Sequence, residues 1–142
     1  MVSEGNVPLK WVSYIFFYGY VGTLILAGVW GVFFARIDMP LLLNVQIDHL
    51  PPGTAANLLS QYRFLRAIEL GFGLFAFVFR DQIYHVQISN RIFLSVMAFG
   101  VLARMVAIVL DGSPSLAMYL FAIFEVIGVI IIFVYTRSTL AK

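Results

Sequence analysis

"QYRFLRAIELGFG", residues 61–73, decides how this chain is read. Its apolar residues and glycines suit a membrane-spanning helix, yet it carries Arg63, Arg66 and Glu69. A charge at the bilayer centre costs about 2.5–3.5 kcal/mol on insertion scales, so these side chains need partners if the segment lies in hydrocarbon. The composition puts it there. Of 142 residues, 62% are hydrophobic and 11% are charged, whereas a soluble domain carries about 25% charged residues. Too few polar side chains remain to cover a globule, and lipid is the expected outer solvent. The net charge of +2 gives no reason to invoke nucleic acid. The absence of cysteine excludes disulfides, thiolate metal sites, CxxC redox chemistry and a cysteine nucleophile.

A spanning helix needs about 20 mostly apolar residues. Four windows meet that length: 11–35, 58–79, 92–110 and 116–135. The first is followed by Arg36-Ile37-Asp38 rather than a small-residue cleavage site, and reads as an uncleaved span. The expected fold is all-α: one domain over residues 1–142, a bundle of four transmembrane helices. An even number of spans puts both termini on one side, together with Lys10, Arg80, Arg91, Arg137 and Lys142. The opposite side has Arg36 with Asp38, Asp48 and Asp111. The positive-inside rule makes the termini and the 80–91 loop cytoplasmic.

"RDQIYHVQISNR" (80–91) reads as a short polar inside loop, and "LDGSPS" (110–115) as a tight outside turn. Asp111-Gly112 ends one helix, Ser113 can cap the next and Pro114 suits its first turn. The third and fourth spans thus form an antiparallel hairpin. Residues 37–57, between the first two spans, are too broken by Asn44, Gln46 and Asp48 to cross. They are expected to lie on the outer surface or to fold over the bundle mouth as a lid.

Positions i, i+4, i+7 and i+11 share a helix face. Such a stripe joins Tyr62, Arg66 and Glu69 in the second span, Gly100, Arg104 and Asp111 in the third, and Phe121, Glu125 and Gly128 in the fourth. Counted from the outer ends, Arg104 lies roughly 9 Å deep, Arg66 roughly 12 Å, and Glu69 and Glu125 roughly 15 Å. Arg66, Glu69, Arg104 and Glu125 are therefore expected in one buried cluster, with Tyr62, Arg63 and Asp111 on its outer rim. The cluster serves either as a structural clasp or as a head-group site for an anionic or quinone-like molecule. Gly19, Gly22, Gly28 and Gly31, with Gly100, are candidate helix-packing positions, because small residues let helices approach closely in lipid.

"GVLARMVAIVLDGSPSLAMYLFAIFEVIG" (100–128) resembles the signature of an uncharacterised bacterial four-helix membrane family in the DoxX-like (DoxD-like) superfamily. The matching points are Gly100, Arg104, Asp111, Gly112, Pro114 and Glu125. "YRFLRAIELGFG" (62–73) looks like that family's second-helix motif at Tyr62, Arg63 and Gly71. The resemblance covers about three of the four helices. It implies a four-helix bundle and no agreed biochemical role. Some distant superfamily members are subunits of quinone-linked oxidoreductases.

Other chemistry has little support. His49 and His85 fall in expected loops and none falls in a span, which argues against haem held by an intramembrane histidine. Asp48-His49, or Asp81 with His85, supplies two potential ligands and no metal site. Ser60, Ser95 and Ser113 have no histidine positioned as a base. Two expectations follow. The first is a non-catalytic accessory or stabilising subunit of a larger membrane complex, of respiratory or photosynthetic electron transfer, ligating no cofactor. The second is a stand-alone membrane protein or enzyme that binds a lipid or quinone through Arg66, Glu69, Arg104 and Glu125.

Overall fold

The computed structural model describes residues 7–140; Lys142, one of the basic residues assigned to the cytoplasmic side, lies outside them. Among the described residues the chain is helical almost throughout. The elements are α1 (Val7–Phe33), α2 (Ala35–Leu43), α3 (Pro52–Val78), α4 (Arg80–His85), α5 (Gln87–Asp111) and α6 (Leu116–Leu140), with a 3-10 turn at Ile47–His49. Three helices are long and apolar enough to cross a membrane: α1, α5 and α6. They mark an integral membrane protein. The 27 residues of α3 match α1 in length, but Arg63, Arg66 and Glu69 interrupt its apolar run.

The helices are longer than the apolar windows, because helical hydrogen bonding continues into polar flanks. α3 starts at Pro52 rather than 58, α5 at Gln87 rather than 92, and α6 ends at Leu140 rather than 135. Pro52 suits a first helical position, where its missing N–H is no loss. The region 80–91, expected as a polar loop, is instead the helix α4 followed by the start of α5. Ile83 and Tyr84 are buried there, and that apolar pair gives the short helix an inner face. Val86, in extended conformation, separates α4 from α5.

The chain forms two compact units. The first contains the start of α1, to Tyr20, and everything from Ala76 onward. In it α5 packs along α6, and α4 packs on both. Aromatic rings bind α1 to this group. Phe17 lies with its ring centroid 5.3 Å from Phe93 and 5.4 Å from Tyr84. Tyr14 stacks on Tyr84 at 4.3 Å, and Phe16 on Phe124 at 5.5 Å. Such pairs add about 0.5–1.5 kcal/mol each beyond their area. Gly112, between α5 and α6, has φ +97°, a conformation that side-chain-bearing residues rarely adopt. The first bonds of α6 run from the N–H groups of Met118 and Tyr119 to the carbonyl of Ser115, so this helix starts later than the Ser113–Pro114 reading places it.

The second unit is Val21–Phe75. Here the later part of α1 lies against α3 in unusually close contact. A Cβ added at Gly28 would sit 2.7 Å from Leu70 Cβ and 2.8 Å from Leu70 N, so only glycine permits this approach. Gly31 is covered by the stem of Arg66, and Gly73 meets Leu24 and Ile25. The segment between the two helices is folded, not loose. α2 ends on Asn44 in the left-handed region (φ 58°), whose N–H caps the carbonyl of Met39. Ala35 and Met39 of α2, with Ile47, pack on Ala55, Leu59 and Tyr62 of α3. An exposed ion pair, Arg36 Nη1 to Asp48 Oδ1 at 3.0 Å, ties α2 to the 3-10 turn. Exposed pairs of this kind contribute about 0–1 kcal/mol.

Candidate functional site

In the Val21–Phe75 unit, α2 and α3 build a chain of polar contacts around Arg66. Residues 62, 66 and 69 share one face of α3 because a helix turns about 100° per residue. Arg66 donates from Nε and Nη2 to the Tyr62 hydroxyl at 2.9 and 2.7 Å, and from Nη1 to Glu69 Oε2 at 2.7 Å. Its guanidinium carbon also lies 4.9 Å from the Tyr62 ring centroid. The Tyr62 hydroxyl in turn donates to Asp38 Oδ2. Asp38 Oδ2 is 3.7 Å from Arg66 Nη2. One guanidinium thus faces two carboxylates, and a phenol bridges to the deeper of them. The Asp38 side chain is only 4% exposed and that of Arg66 13%. Gly31 leaves room for the arginine stem. Arg63 points elsewhere on α3: it is exposed and donates from Nε to the Val32 carbonyl at 3.2 Å.

In the other unit, Arg104 of α5 meets Glu125 of α6 through a two-bonded fork. Nε donates to Oε2 at 2.8 Å and Nη2 to Oε1 at 3.2 Å. Parallel bonds of this kind are among the stronger charge-assisted contacts. Nη1 reaches the Met118 sulfur at 3.7 Å. The hairpin turn sets the register, since Arg104 lies seven residues before Asp111 and Glu125 ten residues after Ser115. A cavity of about 310 Å³ adjoins the pair, lined by Arg104, Asp111, Pro114, Met118 and Ala122 among others. Asp111 itself is exposed at the end of α5.

The four residues expected together thus find partners inside their own units: Arg66 with Glu69, and Arg104 with Glu125. The residue that sequence reasoning missed is Asp38. Beside Arg36 it read as an outer-loop charge, whereas it is buried and holds Tyr62. The signal was the spacing of Ala35, Asp38 and Met39, which puts all three on one face of a short helix. Of the glycines, Gly28 and Gly31 are closely covered, Gly19 would place a Cβ 3.2 Å from the Phe124 ring, and Gly22 and Gly100 have nothing within 4 Å.

A second polar set lies near α4. The Tyr84 hydroxyl donates to the Ser13 carbonyl at 3.1 Å and lies 3.1 Å from Ser13 Oγ. Burial pushes the Tyr84 hydroxyl well above the usual phenol range. Asn90 Nδ2 donates to the Ile83 carbonyl at 3.0 Å, and Thr136 Oγ1 lies 3.2 Å from Asn90 Oδ1 while donating to the Ile132 carbonyl at 2.8 Å. Among the described residues, no buried side-chain nitrogen or oxygen lacks a hydrogen-bond partner. His85 Nδ1 is 2.8 Å from the Asp81 carbonyl, and Asp48 is engaged by Arg36. No group of three or more histidine, aspartate or glutamate side chains able to hold a metal occurs among the described residues.

Three apolar helices of spanning length, two of them joined by the Arg104–Glu125 pair, define an α-helical membrane protein. The chain belongs to the family described as a domain of unknown function (DUF4345), whose model matches residues 8–136. No curated protein and no solved structure matches it.

Proposed function

We propose that this is a non-catalytic membrane protein of four spans, an accessory subunit that stabilises a larger membrane complex. The observation that carries the reading is the pairing of Arg66 and Arg104 with carboxylates of their own units. Charges inside spanning helices usually mark pathways or ligand sites. Here the donors are already committed: Arg104 to Glu125 on the neighbouring helix, and Arg66 to Glu69 on its own helix with Asp38 of α2 beside it, which suits a structural clasp. Large apolar side chains such as Trp11, Ile15, Leu26, Val109 and Leu116 are exposed and available to lipid or to neighbouring helices. In this proposal α3 is the fourth span. Residues 34–51 lie on the outer face, and both termini are cytoplasmic in a bacterial inner membrane. Kinship with the DoxX-like superfamily is part of the proposal, and an electron-transfer complex as the partner rests on that kinship alone.

Purification from native membranes in mild detergent, read by mass spectrometry and an absorption spectrum, tests the reading. Stoichiometric co-migration with a pigment- or haem-bearing complex supports it. Migration as a lone small species refutes it.

A second reading draws on the cavity beside Arg104. An anionic lipid or quinone head group there would contact Arg104, whose side chain is 34% exposed, with Glu125 able to hold or pass a proton. Under that reading Arg104→Ala loses a co-purifying ligand while the fold persists. Under the clasp reading the variant fails to accumulate.

A further inference from the structure

We infer that the cleft between the start of α5 and the end of α6 is a binding site for an anionic phospholipid. The cleft encloses about 570 Å³, within the range of about 300–1,000 Å³ typical of small-molecule sites. Its composition is divided. Arg91, Arg137 and Gln87 line it with polar groups, and Leu94, Ala98 and Phe133 line it with apolar ones. α5 and α6 run antiparallel through a tight turn at 112–115, so residue 91, near the start of one, and residue 137, near the end of the other, lie at the same end of the hairpin. Apart from Leu140 at the end of α6, the apolar lining residues Leu94, Ala98, Val129 and Phe133 lie farther along both helices, toward the interior of their spans. This is the order of a phospholipid: phosphate first, acyl chain next.

The two arginines differ from Arg66 and Arg104. Both are exposed, and neither forms an ion pair with a carboxylate among the described residues. Their charge is free to meet a phosphate. The bottom of the cleft is fixed by the buried Asn90–Thr136 contact, which holds the two helices at this separation without using either arginine. A basic pocket between spanning helices, close to the helix ends, suits an anionic head group because the guanidinium charges act at the membrane surface while the chain stays in hydrocarbon. A free phosphate would use the arginines alone. The apolar wall continuous with them favours the lipid.

The test uses the full chain reconstituted in nanodiscs made of equal parts phosphatidylglycerol and phosphatidylcholine, then released and read by native mass spectrometry. The expected result is retention of phosphatidylglycerol over phosphatidylcholine. Arg91→Gln with Arg137→Gln lowers the retained anionic lipid about 25-fold, each arginine contributing about fivefold. Lysine at both positions restores most of it. Glycerol phosphate at millimolar concentration does not displace the lipid. Equal retention of the two lipids, or unchanged retention in the double variant with helical content intact, overturns the inference. Displacement by glycerol phosphate or inorganic phosphate also overturns it, and makes the site one for a soluble anion.

Discussion

Replacing Glu125 by leucine strands Arg104. In the native pair the guanidinium donates twice to the carboxylate, and its other contact is the weak one to the Met118 sulfur at 3.7 Å. Removing one member of a fully buried pair costs about 3–5 kcal/mol, because the survivor keeps its desolvation penalty without compensation. The Glu125 side chain is 13% exposed and that of Arg104 34%, and the adjoining cavity offers the arginine a partial escape toward the 112–115 turn. The expected loss for Glu125→Leu is therefore about 2 kcal/mol, or about a thirtyfold shift toward the unfolded form. Arg104→Met with Glu125→Leu removes both charges and fills the space with apolar side chains, and should recover at least half of that loss. The assay is unfolding in mixed micelles, followed by far-ultraviolet circular dichroism as denaturing detergent is increased. A single variant as stable as the parent would refute the reasoning. So would a double variant no better than the single, since the damage would then lie in packing and not in an abandoned charge.

Four more outcomes are expected. Glu69→Leu should cost less than Glu125→Leu in the same assay, because Arg66 retains Tyr62 and has Asp38 at 3.7 Å. Tyr62→Phe leaves Asp38 buried without its hydroxyl donor and should cost about 1–3 kcal/mol, whereas Arg63→Ala, at an exposed site, should cost well under that. Gly28→Ala drives a methyl into the backbone of α3 and should lose about 1–3 kcal/mol through overpacking, while Gly22→Ala and Gly100→Ala, with open space around them, should be neutral or mildly stabilising. Tyr84 holds its proton more tightly in the folded protein than in the unfolded one, so its contribution is complete below about pH 10 and is lost as pH rises beyond that; Tyr84→Phe should flatten the alkaline part of a stability–pH profile.

How much of this was legible depended on whether the pattern was local. The α5–α6 hairpin could be read because Asp111, Gly112 and Pro114 leave the chain little choice but to turn, and two to three helical turns back along each arm bring residue 104 opposite residue 125. The proximity of Arg66 and Glu69 follows from helical spacing alone. Helix ends were misplaced because hydropathy follows lipid exposure, whereas hydrogen bonding decides where a helix stops: Gln87, Asn90 and Arg91 are polar and still helical. α4 was hidden for the same reason, its Ile83–Tyr84 pair being too short to stand out from Arg80, Asp81, Gln82 and His85. Asp38 was hidden more deeply. Its burial depends on Tyr62, 24 positions along the chain, and no periodicity within 34–43 announces that partner.

The bareness of Gly28 and Gly31 has a consequence for biogenesis. α3 carries a guanidinium and a carboxylate that lipid would reject if the helix left the translocon alone. Its acceptable surface exists only once the end of α1 is seated against it and Asp38 has reached Tyr62. Under the four-span proposal, α3 therefore enters the bilayer paired with the end of α1, while α2 folds onto it at the outer face. A nascent chain cut off before α3 should insert cleanly, one that lacks α1 and α2 should be sent to degradation, and the difference would be visible before any mature protein exists.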